Sequence, residues 1–147
     1  MTKITFHESV EDGKLAFAVI LSRSAGKWVL CKHRARTTLE VPGGHREPGE
    51  AIMDTAVREL REETGAEAFS IRPVCVYAVE RDDTPGESWG LLCWADIRRF
   101  APELHSEIER IFLLDRLPEN WTYPDIQPAL IREAVRRGFL REGEGGQ

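Results

Sequence analysis

Residues 43–66 read Gly43-Gly44-His45-Arg46-Glu47-Pro48-Gly49-Glu50-Ala51-Ile52-Met53-Asp54-Thr55-Ala56-Val57-Arg58-Glu59-Leu60-Arg61-Glu62-Glu63-Thr64-Gly65-Ala66. Between Leu39 and Glu50 two prolines and three glycines keep most of the segment out of regular structure. From Ala51 the pattern changes. Met53, Ala56, Val57 and Leu60 fall at the i, i+3, i+4, i+7 spacing of a buried helical stripe, and Gly65 stands where a helix stops. The spacing predicts a helix over 51–64. On a wheel advancing about 100° per residue, Glu59, Glu62 and Glu63 occupy the sector beside the stripe, with Glu63 nearest to it. Arg58 and Arg61 lie beyond.

Three carboxylates on one flank repel one another by a few tenths of a kcal/mol per pair, about the size of an ordinary helix-surface interaction. A hard divalent cation removes that cost, because Mg²⁺ and Mn²⁺ prefer oxygen ligands and tolerate several carboxylates. Taken alone, the run also describes a solvated, charge-rich face balanced by its arginines. The preceding loop adds a second feature. Gly43-Gly44 lets the backbone approach a ligand closely and leaves carbonyl and amide groups free to point at it.

Outward from this core, Leu15 to Leu21 is a near-continuous apolar run, predicted as a strand buried on both faces. Ser22 to Gly26 supplies turn residues, and Lys27 to His33 reads as the second strand of a hairpin. Downstream, strands are expected over 69–80, 89–97 and 110–114. A polar loop is expected over 81–88, a proline-containing loop over 117–124 and a final helix over 126–137. Strands outnumber helices and the two helices are separated by most of the strands. That order predicts an α/β (α+β) fold with a mixed sheet between helices. Residues 1–140 are expected to form a single domain. The tail 141–147 has nothing apolar to bury and reads as frayed.

The 147 residues are 41% hydrophobic and 31% charged, a globular composition. Twenty Lys+Arg against 25 Asp+Glu give a net charge of −5. That balance argues against nucleic acid or a membrane surface as partner, since either needs a basic footprint. It leaves room for an anionic small molecule if cations supply positive charge. No apolar run approaches the roughly 20 residues of a membrane span, and the start of the chain lacks a signal-peptide core, so a cytoplasmic location is expected. Cys31, Cys75 and Cys93 sit among apolar neighbours and read as small buried hydrophobes. Oligomeric state is left open by these features.

The full spacing is decisive: Gly44, five residues, Glu50, seven residues, then Arg58-Glu59-Leu60-Arg61-Glu62-Glu63-Thr64-Gly65-Ala66. It resembles the Nudix box at every defined position, with Ala66 small where a larger aliphatic is usual. Chance coincidence of seven identities is on the order of one in 10⁸. The Nudix hydrolase family resemblance implies an α/β/α sandwich with a mixed sheet. It implies hydrolysis of a diphosphate linked to another moiety, usually a nucleoside, with Mg²⁺ or Mn²⁺ as cofactor. Carried over by position, Glu59, Glu62 and Glu63 resemble the metal-binding glutamates, and Gly43 the residue lending a backbone carbonyl to a metal. Arg58 resembles the arginine that orients a glutamate, and Glu50 a supporting acid.

Glu59 is the first candidate for general base, with Glu107 and Glu109 as alternatives on a later loop. For a nucleotide substrate, His33, Arg34, Arg36 and Arg46 are phosphate-binding candidates. Trp89, Trp121 and Tyr123 are stacking candidates, and Asn120 could read a purine. The expected activity is nucleoside triphosphate pyrophosphatase, with oxidised purine nucleotides among the substrates. The alternatives are hydrolysis of ADP-ribose, dinucleoside polyphosphates or related conjugates, or a domain that senses nucleotides without catalysis.

Overall fold

The computed structural model describes residues 1–103 and 108–140. The expected base Glu107 and the expected tail 141–147 lie outside the described residues. The described residues form seven strands: β1 (Thr2–His7), β2 (Leu15–Ser24), β3 (Lys27–His33), β4 (Gly43–His45), β5 (Ala66–Arg81), β6 (Thr84–Phe100) and β7 (Ile108–Leu114). Two α-helices join them, α1 (Ile52–Thr64) and α2 (Gln127–Arg136). The sheet runs β1-β5-β6-β2-β3-β7, with β4 on β2. β2 and β6 are parallel and every other pair is antiparallel, so the sheet is mixed.

Each face of the sheet carries one helix. Ala56 and Leu60 of α1 pack with Ala18, Ile20, Val29 and Cys93. Leu130, Ile131 and Ala134 of α2 pack with Leu21, Trp28, Tyr77 and Trp94 on the other face. This is the expected α/β/α layering. Ile20 and Leu21 enter opposite cores, as the unbroken apolar run of β2 requires. All three cysteines are buried and free. Among the described residues no helix is long and apolar enough to cross a membrane.

Four local features differ from the expectation. The loop over 81–88 shrinks to the turn at Asp82-Asp83, and β6 begins at Thr84. The β5–β6 register jumps between Glu80 and Arg81, which leaves Pro85 and a positive-φ Gly86 as unpaired extra residues. Second, β1 was not expected. It borders β5 from Thr2↔Arg81 to His7↔Val76.

Third, Gly43–His45 is a short strand rather than loop. β2 and β3 pair only next to their turn, at Arg23↔Trp28 and Ser24↔Lys27, and then diverge. Residues 40–45 fill the gap. Glu40 exchanges backbone hydrogen bonds with Cys31 at 2.8 and 3.1 Å, the Ile20 N–H donates to Pro42 O at 2.9 Å, and β4 pairs Phe17–Val19. The edges exposed by the divergence would otherwise leave buried backbone groups unpaired.

Fourth, the buried face of α1 is turned from the predicted stripe. Thr55, Ala56, Leu60 and Thr64 are buried, whereas Met53 and Val57 are half-buried. Thr55 and Thr64 tolerate burial because their hydroxyls are bonded. Thr55 Oγ1 donates to Glu50 Oε1 at 2.7 Å and Thr64 Oγ1 to Leu60 O at 2.6 Å.

Gly65 ends α1 in the left-handed region, φ 77°, with its N–H on Arg61 O at 2.9 Å. Gly65→Ala forces a Cβ into that conformation at a cost of about 1–2 kcal/mol. Urea unfolding of the variant is expected to show a lower midpoint with an unchanged slope. An unchanged midpoint would contradict the cap.

Candidate active site

The divergence of β2 and β3 leaves a cleft of about 530 Å³ on the sheet, walled by β4, the end of α1 and the start of α2. Its lining combines apolar and aromatic side chains (Phe17, Val19, Tyr77, Val79, Tyr123 and Leu130) with His33, Arg36, Glu40 and Glu63 and the backbone of Gly43 and Gly44. Both glycines are required by close approach. A Cβ on Gly43 would lie 2.7 Å from Ala18 O. On Gly44 it would lie 2.1 Å from Glu59 Oε2 and 2.4 Å from Glu59 Cδ. The bare Gly44 therefore makes the space in which the Glu59 carboxylate sits.

Arg58 organises the acids around it. Its Nε donates to Glu50 Oε2 at 2.7 Å and its Nη2 to Glu50 Oε1 at 3.1 Å, a bidentate pair. Nη1 donates to Glu59 Oε2 and to Glu62 Oε1, both at 3.0 Å, and Nη2 to His45 O at 3.0 Å. One guanidinium thus joins β4, the connecting loop and three glutamates. Glu50 also accepts from the Glu47 N–H at 3.0 Å and from Thr55 Oγ1. Arg58, with help from these two donors, holds the Glu50 carboxyl down at about 2. Glu50 therefore stays ionised and serves as the fixed partner of Arg58.

Glu63 has the opposite environment. Its Oε1 accepts from the Gly43 N–H at 2.9 Å, and its Oε2 is 3.5 Å from His33 Nε2. His33 Nε2 is also 3.4 Å from Glu40, which is itself buried. Burial, reinforced by the charges of Glu59, Glu40 and Glu62, pushes the Glu63 carboxyl up to about 8 despite the Gly43 bond. Burial raises the Glu59 carboxyl as well, with Arg58 opposing it. Glu62 is half exposed, whereas the side chains of Glu59 and Glu63 are 13% and 12% exposed.

Among the described residues no three His, Cys, Asp or Glu side chains converge as a ready ligand set. Glu59 and Glu62 lean on Arg58, and Glu63 leans on Gly43. The donor chemistry nevertheless suits a hard divalent ion. Three glutamates follow one another along α1, one guanidinium serves two of them, and the bare Gly44 backbone lies against Glu59.

The remaining candidates divide. His33, Arg36 and Tyr123 line the cleft, with the Arg36 guanidinium 5.7 Å from the Tyr123 ring centroid and bonded to Glu40 at 2.9 Å. Arg34 is exposed and does not line the cleft. Arg46 is turned to the 3₁₀ turn Asp12–Lys14, where it binds Asp12 Oδ2 at 2.8 Å, Asp12 O at 2.9 Å and Glu50 O at 2.7 Å. Trp121 pairs with Leu39 and packs on the α2-side core, and Trp89 packs beside His7. Glu109 is engaged by Lys32 at 3.0 Å, and Asn120 donates to Thr37 O at 3.4 Å. None of these last four lines the cleft. Glu40 and Gln127 do line it and were not among the sequence candidates. Glu40 lies outside the motif, and the chain order holds no sign that Gln127 reaches Val41.

A carboxyl whose pKa is higher folded than unfolded contributes stability below its unfolded value and loses it as the pH rises to the folded one. Glu63 therefore destabilises the metal-free protein progressively between its ordinary 4.5 and about 8, each tenfold difference in proton affinity between the two states being worth about 1.4 kcal/mol. Thermal unfolding in a chelator is expected to show wild type losing ground to Glu63→Gln steadily from pH 5 to pH 8. Parallel curves for the two proteins would contradict the buried acid.

A model of the NUDIX domain matches residues 13–126. The chain is 42% identical over 103 residues to YtkD of Bacillus subtilis, provisionally named an 8-oxo-dGTP diphosphatase; the match covers 69% of this chain and 63% of that protein. A second Bacillus subtilis protein with the same provisional activity name is 37% identical over 62 residues, 42% of this chain and 41% of that one. The chain thus spans about two fifths to just under two thirds of these relatives. The crystal structure of a mutant of the Bacillus subtilis pyrophosphohydrolase BsRppH superposes with a TM-score of 0.79 at 25% identity, covering 95% of this chain and 93% of that one. With the glutamate helix, the glycine strand and the mixed sheet in place, these likenesses converge: the chain belongs to the NUDIX family of hydrolases.

Proposed function

We propose that the chain hydrolyses the diphosphate of a nucleotide with the help of Mg²⁺ or Mn²⁺, and that its substrates are nucleoside triphosphates, oxidised purine nucleotides among them. The observation that carries this reading is the junction of two unlike surfaces in one cleft. One end holds Glu63 and the backbone of Gly43 and Gly44, with Glu59 lying against Gly44. The rest offers apolar and aromatic walls of a size to take a base and sugar. The names of the two relatives point the same way.

Hydrolases of this family generally need divalent metal ions. Glu59, Glu62 and Glu63 would hold the ions here, with the carbonyl of Gly43 beside them. When bound, such ions neutralise the diphosphate and lower the pKa of a water. The protein's own part is positional. Arg58 holds Glu59 and Glu62 in register through one planar fork. Gly44 keeps the approach to Glu59 clear. Glu59, largely buried and with one oxygen on Arg58, takes the proton from the attacking water. Arg36, on the cleft wall, meets the phosphate tail. Small nucleotides rather than nucleic acid or membrane are the expected partners, consistent with a net charge of −5.

The test is a panel of canonical and oxidised nucleoside triphosphates, ADP-ribose, dinucleoside polyphosphates and nucleotide sugars, read by pyrophosphate and phosphate release. Metal-dependent cleavage of a triphosphate to monophosphate and pyrophosphate is expected. Glu59→Gln, Glu62→Gln and Glu63→Gln should each lower kcat by about a hundredfold or more. Brisk cleavage of ADP-ribose or a nucleotide sugar with no triphosphate turnover would overturn the substrate assignment.

A further inference from the structure

The first turn of α2 brings Gln127 into the cleft. The residue is 6% exposed. Its Oε1 accepts the Val41 N–H at 2.9 Å. That bond settles the orientation of the amide, because a backbone N–H only donates and an NH₂ group could not face it. Gln127 therefore presents its NH₂ end to the cleft, and among the described residues no group accepts from it.

Once a ligand covers the cleft, a donor left there without an acceptor costs about 1–3 kcal/mol. The cleft carboxylates do not relieve it. Glu40 is taken by Arg36 and His33, and Glu63 by the Gly43 N–H. Around Gln127 stand Val41, Ile126, Leu130 and Tyr123, walls that suit a flat base and not a phosphate.

We infer that Gln127 is the residue that selects the base. Resting on the nucleotide reading above, the cleft takes a base that presents a carbonyl oxygen to the Gln127 NH₂ group. It disfavours one that presents an exocyclic amino group there, because donor would face donor. The keto purines are the matching class and the 6-amino purines the mismatched one. Pinning the amide on Val41 is what gives it this sense: a free glutamine could rotate and serve either base.

The experiment measures equilibrium binding of α,β-methylene triphosphate analogues of inosine and adenosine, which differ at the six-position edge, to wild type, Gln127→Glu and Gln127→Met. Both variants are monitored by thermal unfolding. Gln127→Glu keeps an oxygen for the Val41 N–H, so it reports on the base even if Gln127→Met unfolds. Wild type is expected to favour the inosine analogue by about tenfold or more. Gln127→Glu should erase or reverse that preference, and Gln127→Met should erase it without reversal. A wild-type preference within about twofold overturns the inference, as does a ratio that survives both substitutions or a failure to bind either analogue. Hydrolysis is read separately in the substrate panel, so loss of the base assignment and loss of the hydrolase reading give different results.

Discussion

One guanidinium surrounded by carboxylates is the constraint on which this site rests. Arg58 donates to Glu50, Glu59 and Glu62 and to the backbone of His45. It carries a single positive charge. Glu50 absorbs most of it through a bidentate bond and stays ionised. Glu59 and Glu62 share a single nitrogen, and Glu63 is left to a backbone N–H and burial. Burial first, and the neighbouring carboxylates after it, make Glu63 hold its proton more tightly than a free carboxyl does. A site in that state is prepared to exchange a proton for a cation.

The sheet determines where this charge is placed. β2 stays with β6 along its length but releases β3 after two residue pairs. The chain segment that fills the gap includes Gly43-Gly44, so backbone free of side chains meets α1 where Glu59 and Glu63 project. The same divergence opens the cleft toward α2, which brings Tyr123 and Gln127 opposite the glutamates. Local packing thus joins a charged end to an apolar end, the combination an anionic tail on a flat base requires.

The parts of the site that are local in the chain were legible in the sequence. Helical spacing puts Glu59, Glu62 and Glu63 on one flank, whereas Arg58 and Glu50 entered as candidates through the family resemblance. The layering followed from strand and helix order. What could not be read is non-local or depends on polar pairing. Thr55 and Thr64 are buried because their hydroxyls find acceptors, which a hydrophobic wheel does not register. Arg46 looks like a phosphate ligand by position, yet Asp12, 34 residues earlier, claims it. Asn120 and Trp121 precede α2 as expected but face Thr37 and Leu39, and the cleft is reached only at Tyr123 and Gln127. β4 is visible only once β2 and β3 are known to part.

The most direct measurement is calorimetric titration of the metal-free protein with Mn²⁺ at pH 7, in two buffers of different ionisation enthalpy, so that proton release is counted with metal uptake. The account predicts saturable uptake accompanied by release of a proton, with the proton, and most of the affinity, lost in Glu63→Gln. Well-folded wild type that takes up no Mn²⁺, or takes it up with no proton release and equally well in Glu63→Gln, would contradict it.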